Sequence, residues 1–156
     1  MLIIKKIVFL AGMGAALFLL SAFQTGKGKK DNSTFSLTVK VNDLRNNKGD
    51  VLVALYNKKG SIPDEKFKNY FRITTGKISG DSSEVIFRNL PAGRYAVSIL
   101  HDEDRNGKIK KGFILPKEGV GFSNYKKINL SNRPSFGKAS FELQKNLTVL
   151  VKIIYL

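Results

Sequence analysis

The chain has 156 residues, a formal net charge of +15 at pH 7, no cysteine and a single histidine. That length accommodates one domain of ordinary size and a short targeting segment. The lack of cysteine excludes disulfides, so stability must come from an apolar core or a bound metal. The positive charge favours anionic surfaces as partners, but the lysines are scattered and no nucleic-acid-binding motif accompanies them, so we expect no specific nucleic-acid partner.

The amino terminus, residues 1–23, has the features of a signal peptide. Lys5 and Lys6 form a cationic start, and the run Ile7–Phe23 carries no charge. Such a run is short for a membrane span but suits the apolar part of a signal peptide, which predicts export to the periplasm or outside the cell. The alternative is an uncleaved anchor, and only then would this segment hold the protein at the membrane. Residues 24–34 are polar and rich in glycine and lysine, which predicts a flexible linker.

The remaining segment, residues 35–156, begins with patterns typical of β-strands. Every second residue is apolar in Phe35–Val41, which predicts a half-buried strand, and Val51–Tyr56 is apolar on both faces. Residues Ile62–Tyr70 favour one short helical turn, because proline and two acids near its start suit the amino end of a helix.

More strand-like segments follow in chain order, separated by turn signals. They are Phe71–Ser79, Ser83–Phe87, Arg94–His101, Lys126–Leu130, Ser140–Leu143 and Leu147–Tyr155. Leu90–Gly93 has the composition of a tight turn. In the strand after it, Tyr95 and His101 are expected to face one side and Asp102 the other. About seven to eight short strands with almost no helical periodicity predict an all-β fold, an immunoglobulin-like or prealbumin-like antiparallel β-sandwich.

The segment after His101 resembles the first eight positions of a calcium-binding loop. Asp102, Asp104 and Asn106 carry side-chain oxygens at alternate positions, Gly107 permits a sharp turn, and the carbonyl of Lys108 would face the ion. Calcium takes six to eight oxygen ligands, and such a turn gathers alternate side chains on its inside. These four oxygen-bearing positions are the predicted metal ligands, with calcium as the candidate cofactor.

The calcium pattern then stops. The ninth position is Lys110, and the twelfth, where a bidentate acid is needed, is Phe113. A metal site would therefore need Glu118 or another distant oxygen to complete it. The alternative is that the acids and Asn106 cap backbone amides in a long turn, as such side chains readily do.

The predicted ligand-binding face combines the histidine with the glycine-rich segment that follows. Its residues are His101, Phe113, Glu118, Phe122, Ser123, Asn124 and Tyr125. The aromatic rings offer packing surface for a ligand, and the polar groups offer hydrogen bonds. In the alternative interpretation the aromatic side chains close one end of the sandwich. An imidazole beside acids could also serve as a general base, so we keep a hydrolase that uses His101 with Asp102 or Glu118 as an alternative.

Three motifs together resemble a known family. They are Leu90-Pro91-Ala92-Gly93-x-Tyr95-Ala96-Val97, His101-Asp102-x-x-x-Asn106-Gly107 and Pro116-x-Glu118-Gly119-x-Gly121-Phe122-Ser123-Asn124. The ordered set is similar to an exported bacterial family, number 2141 among the domains of unknown function, over about residues 35–155. The first motif also occurs in transthyretin-like and carboxypeptidase-regulatory-like sandwiches. The resemblance implies a sandwich of an envelope protein and implies no activity; Lys110 stands where the family tends to have another Asp.

These observations favour an exported, non-enzymatic β-sandwich module that binds an unknown envelope ligand or protein through the 102–124 loop, with or without a bound cation. Besides the hydrolase, a further alternative is adhesion to anionic envelope polymers through the basic surface.

Overall fold

The structure is a computed structural model, and it describes residues 33–109 and 117–156. The predicted signal peptide, most of the predicted linker, Lys110 and Phe113 lie outside the described residues. Within the described part of the chain, no helix is long and apolar enough to cross a lipid bilayer.

Nine strands and one short helix make up the described chain. They are β1 (Thr34–Asn42), β2 (Asp50–Tyr56), β3 (Arg72–Gly76), β4 (Ile78–Ser79), β5 (Ser82–Pro91), β6 (Gly93–Asp102), β7 (Gly119–Phe122), α1 (Phe136–Ala139), β8 (Phe141–Leu143) and β9 (Leu147–Lys152). A first sheet has the strand order β4-β5-β1-β9, and a second has β3-β2-β6-β7 with β8 also paired to β6. The predicted all-β sandwich is confirmed.

One strand pairing departs from the predicted antiparallel arrangement. The last strand, β9, runs parallel to β1, with Leu37 opposite Leu147 and Val41 opposite Val151. The chain then continues past the first sheet and forms an antiparallel bridge between Ile154 and Val120 of β7 in the second sheet. The carboxyl-terminal segment therefore links the two sheets.

Strand β6 is buried on both faces. On one face, Tyr95, Val97 and Ile99 join the core between the two sheets. On the other, Ala96 and Leu100 join a second core that includes the 62–67 segment and α1. The predicted alternation along this strand is confirmed, and burial on both sides holds its carboxyl end in a fixed position.

The turn between β5 and β6 carries the chain from the first sheet to the second. Both strands reach the turn, since β5 ends at Pro91 and β6 begins at Gly93. The hydroxyl of Tyr95 donates a hydrogen bond to the carbonyl of Pro91, at 3.0 Å. The tyrosine therefore braces the corner between the two sheets.

Two predicted elements are wrong. The segment Ile62–Tyr70 is not helical, because a carboxylate oxygen of Asp64 accepts the amides of Lys68 and Asn69 and Phe67 has a φ of +48°. The segment 126–130 is not a strand, because the side chain of Asn129 closes a turn.

The predicted strand segment Phe71–Ser79 does form β-structure, but it divides into β3 and β4, which belong to different sheets. Helix α1 was not predicted. It is a single turn capped by the side chain of Ser135, too short to produce a helical pattern.

Candidate functional site

We call residues 102–108 the acidic loop. It starts where β6 ends, and its first residue, Asp102, is fixed by the neighbouring strand β2. Asp102 lies opposite Asp50 of β2, and the turn before β2 packs closely on the loop. Gly49, with a φ of +72°, sits so near that a Cβ atom would lie 1.9 Å from the carbonyl oxygen of Asp102. Only glycine permits this approach, so the turn supports the loop from one side.

Backbone amides bind the acidic side chains of the loop. Asp102 is buried, and its two carboxylate oxygens accept the amides of Asn106 and Gly107 at 3.0 and 2.7 Å. Asp104 also accepts the Asn106 amide at 3.2 Å, and the side chain of Asn106 accepts the amide of Lys108 at 2.8 Å. The predicted capping role of these side chains is confirmed.

The structure also brings Glu118 to the loop. Glu118 is only 3% exposed, and its carboxylate accepts the amide of Glu103 at 3.2 Å. Carboxylate oxygens of Asp102, Asp104 and Glu118 all lie within 4.8 Å of one another. We call these three residues the carboxylate cluster. Two ionised carboxylates at that separation repel by about 3 kcal/mol at an effective dielectric constant of about 20, so the cluster concentrates negative potential at one point of a basic protein.

Glu103 is not part of the carboxylate cluster and is bound by the turn before β2. Its carboxylate forms two bonds with the guanidinium of Arg45 and accepts the side-chain amide of Asn46 at 2.6 Å. The bond from Arg45 holds the pKa of Glu103 below its usual value. Arg45 also donates to the carbonyl of Lys117 at 3.2 Å. Arg45 therefore ties residue 103 to residue 117 and helps to position the neighbouring Glu118.

His101, which was predicted to be a ligand-binding residue, lies inside the protein. Its side chain is 0% exposed, and it lies on the face of β6 opposite to Asp102. Its Nε2 is 2.9 Å from the carbonyl of Lys48, which can only accept, so Nε2 carries the proton. Its Nδ1 then accepts the hydroxyl of Tyr155 at 2.7 Å. Burial raises the pKa of Tyr155, which keeps that hydroxyl protonated.

The residues from Phe122 to Tyr125 are engaged within the protein. Phe122 and Tyr125 are buried in the second core, with ring centroids 5.9 Å apart. Ser123 accepts the amide of Val97 at 2.9 Å and donates to the carbonyl of Ala139 at 2.6 Å. The side-chain amide of Asn124 also donates to that carbonyl, at 3.2 Å. These predicted ligand-binding residues attach α1 to the second sheet.

Gly119 and Gly121, which flank Val120 in β7, make room for the carboxyl-terminal segment of the chain. A Cβ on Gly119 would lie 2.4 Å from side-chain atoms of Ile153 and Tyr155, and one on Gly121 would lie 2.9 Å from the carbonyl of Lys152. Because Gly119 directly follows Glu118, this close packing also fixes the position of the third carboxylate of the cluster.

Sequence reasoning did not identify Arg45, Asn46 or Tyr155 as part of this region. Their contacts join the turn before β2, the acidic loop and the carboxyl terminus, which are far apart in the chain. No local pattern marks such contacts. Of the predicted site residues, Asp102, Asp104 and Glu118 come together, Asn106 caps the loop beside them, and Phe113 lies outside the described residues.

The fold and the cluster define an all-β sandwich with three converging carboxylates at the end of a central strand. The chain belongs to the bacterial family described as "Uncharacterized protein conserved in bacteria (DUF2141)", whose model matches residues 39–150. This match confirms the resemblance found in the sequence motifs. No curated protein and no solved structure matches the chain.

Proposed function

We propose that this chain is an exported, non-enzymatic β-sandwich module that binds calcium at Asp102, Asp104 and Glu118. The ion-loaded loop would then bind an envelope ligand or protein. The proposal rests on the approach of the three carboxylates to within 4.8 Å of one another.

The chemistry of the cluster favours calcium over zinc. Calcium prefers six to eight hard oxygen ligands in a flexible arrangement, and carboxylates and carbonyls supply them. Zinc prefers nitrogen and sulfur donors, and the only histidine of the chain is engaged elsewhere. The backbone amides on Asp102 and Glu118 relieve part of the repulsion within the cluster. A divalent ion would relieve the rest.

An ion bound at the carboxylate cluster would connect the two ends of the segment between β6 and β7. Asp102 and Asp104 lie at its start and Glu118 at its end, so one ion would hold both together. This segment follows β6, which is buried on both faces, and precedes β7, which packs on the carboxyl-terminal segment. Calcium would therefore bind at a surface that rests on rigid elements, which suits binding of a partner.

The geometry around His101 supports binding over catalysis. A general base must reach the proton that it abstracts, within hydrogen-bond distance or through one water. His101 is fully buried, both of its ring nitrogens are bonded, and its side chain faces away from the carboxylate cluster. The hydrolase alternative would need this residue to leave the core. Export itself is proposed from residues 1–23, and fractionation of cells that produce the protein tests it.

The calcium proposal is tested by thermal unfolding of the purified chain with calcium and with chelator. An ion that binds only the folded state at 100 times its dissociation constant adds about 2.7 kcal/mol. For a domain of this size that raises the melting temperature by about 10 °C. An equal melting temperature under both conditions would remove calcium from the proposal.

The variant Glu118→Gln sharpens the test, because it keeps an oxygen for the Glu103 amide and removes one negative charge. Without calcium, the variant should be at least as stable as the parent, since repulsion in the cluster falls. With calcium, the gain in melting temperature should be lost. Glu84→Gln is the matched control, because Glu84 lies exposed on the first sheet and pairs with Lys40 at 3.6 Å. A calcium response that survives in Glu118→Gln would place the ion elsewhere.

A further inference from the structure

Leu130 is the most exposed large apolar side chain among the described residues, at 78%. It sits at the tip of a turn in which Asn129 and Asn132 bridge to each other. The side chain of Asn129 accepts the hydroxyl of Ser131 and the amide of Asn132, both at 2.8 Å. Asn132 in turn donates to the carbonyl of Lys127 at 2.7 Å. These hydrogen bonds fix the turn, and the side chain of Leu130 at its tip is exposed to solvent.

The base of this turn is fixed to the body of the protein. The hydroxyl of Tyr125 donates to the carbonyl of Arg133 at 3.0 Å and accepts the amide of Ser135 at 3.1 Å. Tyr125 is buried, and Ile128 packs on the second core. We call residues 126–134 the apolar-tip loop. Because the loop is braced at both its tip and its base, Leu130 is held in an exposed position.

The segment that contains Leu130 carries one sign of charge. From Gly119 to Phe141 the sequence contains Lys126, Lys127, Arg133 and Lys138 and no acidic residue. Three of these cations lie within four residues of Leu130. The fourth reaches the loop, since Lys138 donates to the side chain of Asn132 at 3.4 Å. The loop thus combines an exposed apolar tip with cations on its own segment and with Lys138.

We propose that the apolar-tip loop docks onto membranes that contain anionic phospholipids. Leu130 would enter the boundary between headgroups and acyl chains, while the four cations contact headgroup phosphates. Attraction to a soluble polyanion would use the cations but would leave Leu130 in water. The exposed leucine therefore favours a lipid surface, and the contact should be weak and reversible because a single side chain enters the bilayer.

The test measures partitioning of the purified chain onto vesicles in chelator, so that calcium at the carboxylate cluster takes no part. We expect binding to vesicles of equal parts phosphatidylcholine and phosphatidylglycerol, and little binding to phosphatidylcholine alone. Leu130→Ser should lower the partition coefficient about tenfold or more, because transfer of the leucine side chain is lost. Raising the salt concentration should weaken binding further.

Leu150→Ser is the matched control. Leu150 is 63% exposed on the outer face of the first sheet, away from the apolar-tip loop, and its loss should change partitioning less than twofold. Both variants change exposed positions, and an unaltered melting curve verifies that each is folded. No binding to the anionic vesicles would overturn the proposal. Equal losses in both variants would also overturn it, as would full binding by Leu130→Ser, which would indicate charge attraction alone. None of these outcomes bears on calcium binding.

Discussion

The hydrogen bonds around His101 form a relay with one consistent direction. The amide of Arg45 donates to the Tyr155 hydroxyl at 2.9 Å, that hydroxyl donates to Nδ1, and Nε2 donates to the carbonyl of Lys48. The relay joins the turn before β2, the central strand β6 and the carboxyl terminus. The single histidine is therefore a structural residue that aligns three segments around the acidic loop.

Replacing Tyr155 with Phe tests this relay. The change leaves the ring in place but removes the donor to Nδ1 of a fully buried imidazole. An unsatisfied buried acceptor costs about 1–3 kcal/mol, and we expect that loss in the free energy of unfolding measured with urea. Tyr70→Phe is the control, because Tyr70 is 42% exposed, and it should change stability by less than about 0.5 kcal/mol. Equal stabilities of the two variants would show that the relay contributes nothing.

At the scale of single residues, the sequence predicts chemistry better than it predicts accessibility. The side-chain oxygens of Asp102, Asp104 and Asn106 predicted either metal ligands or caps of backbone amides. The structure shows the caps, and it also brings the carboxylate of Glu118 close to those of Asp102 and Asp104. The burial of His101 and Ser123 followed from no local pattern. Their partners, Lys48 and Ala139, come from other segments, and only the packed sheets bring them near.

At the scale of elements, β7 needs small residues on one face and large residues on the other. On one face of β7, Val120 and Phe122 pack in the second core. On the other face, Gly119 and Gly121 contact the carboxyl-terminal segment. The glycines let Ile154 and Val120 pair through backbone bonds of 2.8 and 3.0 Å. Larger side chains would push the segment off β7 and would also move Glu118.

Gly119→Ala should therefore destabilise the protein. The new Cβ would overlap side-chain atoms of Ile153 and Tyr155 at 2.4 Å, and overpacking of this kind costs about 1–3 kcal/mol. Gly137→Ala is the control, since a Cβ added at Gly137 in α1 would meet no atom of another segment within 4 Å and alanine favours helix. The control should be neutral or up to about 1 kcal/mol more stable. A neutral Gly119→Ala, measured in the same urea titration, would contradict the close packing of β7.

Strong alternation predicted the elements well, and short irregular segments were predicted poorly. The strands near Phe35–Val41, Val51–Tyr56 and Arg94–His101 were recognised because burial on one or both faces leaves a period of two or a continuous apolar run. The parallel pairing of β9 with β1 could not be read from the pattern, because an alternating strand fits either direction. The helical turn predicted at 62–70 does not form, because the side chain of Asp64 accepts backbone amides that would bond to backbone carbonyls in a helix.

For the whole molecule, the family match is shorter than the folded unit. The match covers residues 39–150, whereas the described residues of the compact unit extend from residue 33 to residue 156. Val151 and Ile153, just beyond the match, are buried in the core between the sheets, and Ile154 and Tyr155 bind β7 and His101. The last residues of the chain are thus part of the core and of the support for the carboxylate cluster.

A chain that ends at Leu150 should therefore fail to fold stably. It loses the burial of Val151 and Ile153, worth about 1.5–3 kcal/mol each, and leaves His101 without its donor. Together these losses are on the order of 5 kcal/mol, which is comparable to the whole stability of many domains. A chain that ends at Tyr155 is the control, because it lacks only the exposed Leu156 and should melt like the parent. Cooperative unfolding of the shorter chain, followed by circular dichroism, would show that the two sheets hold together without their carboxyl-terminal link.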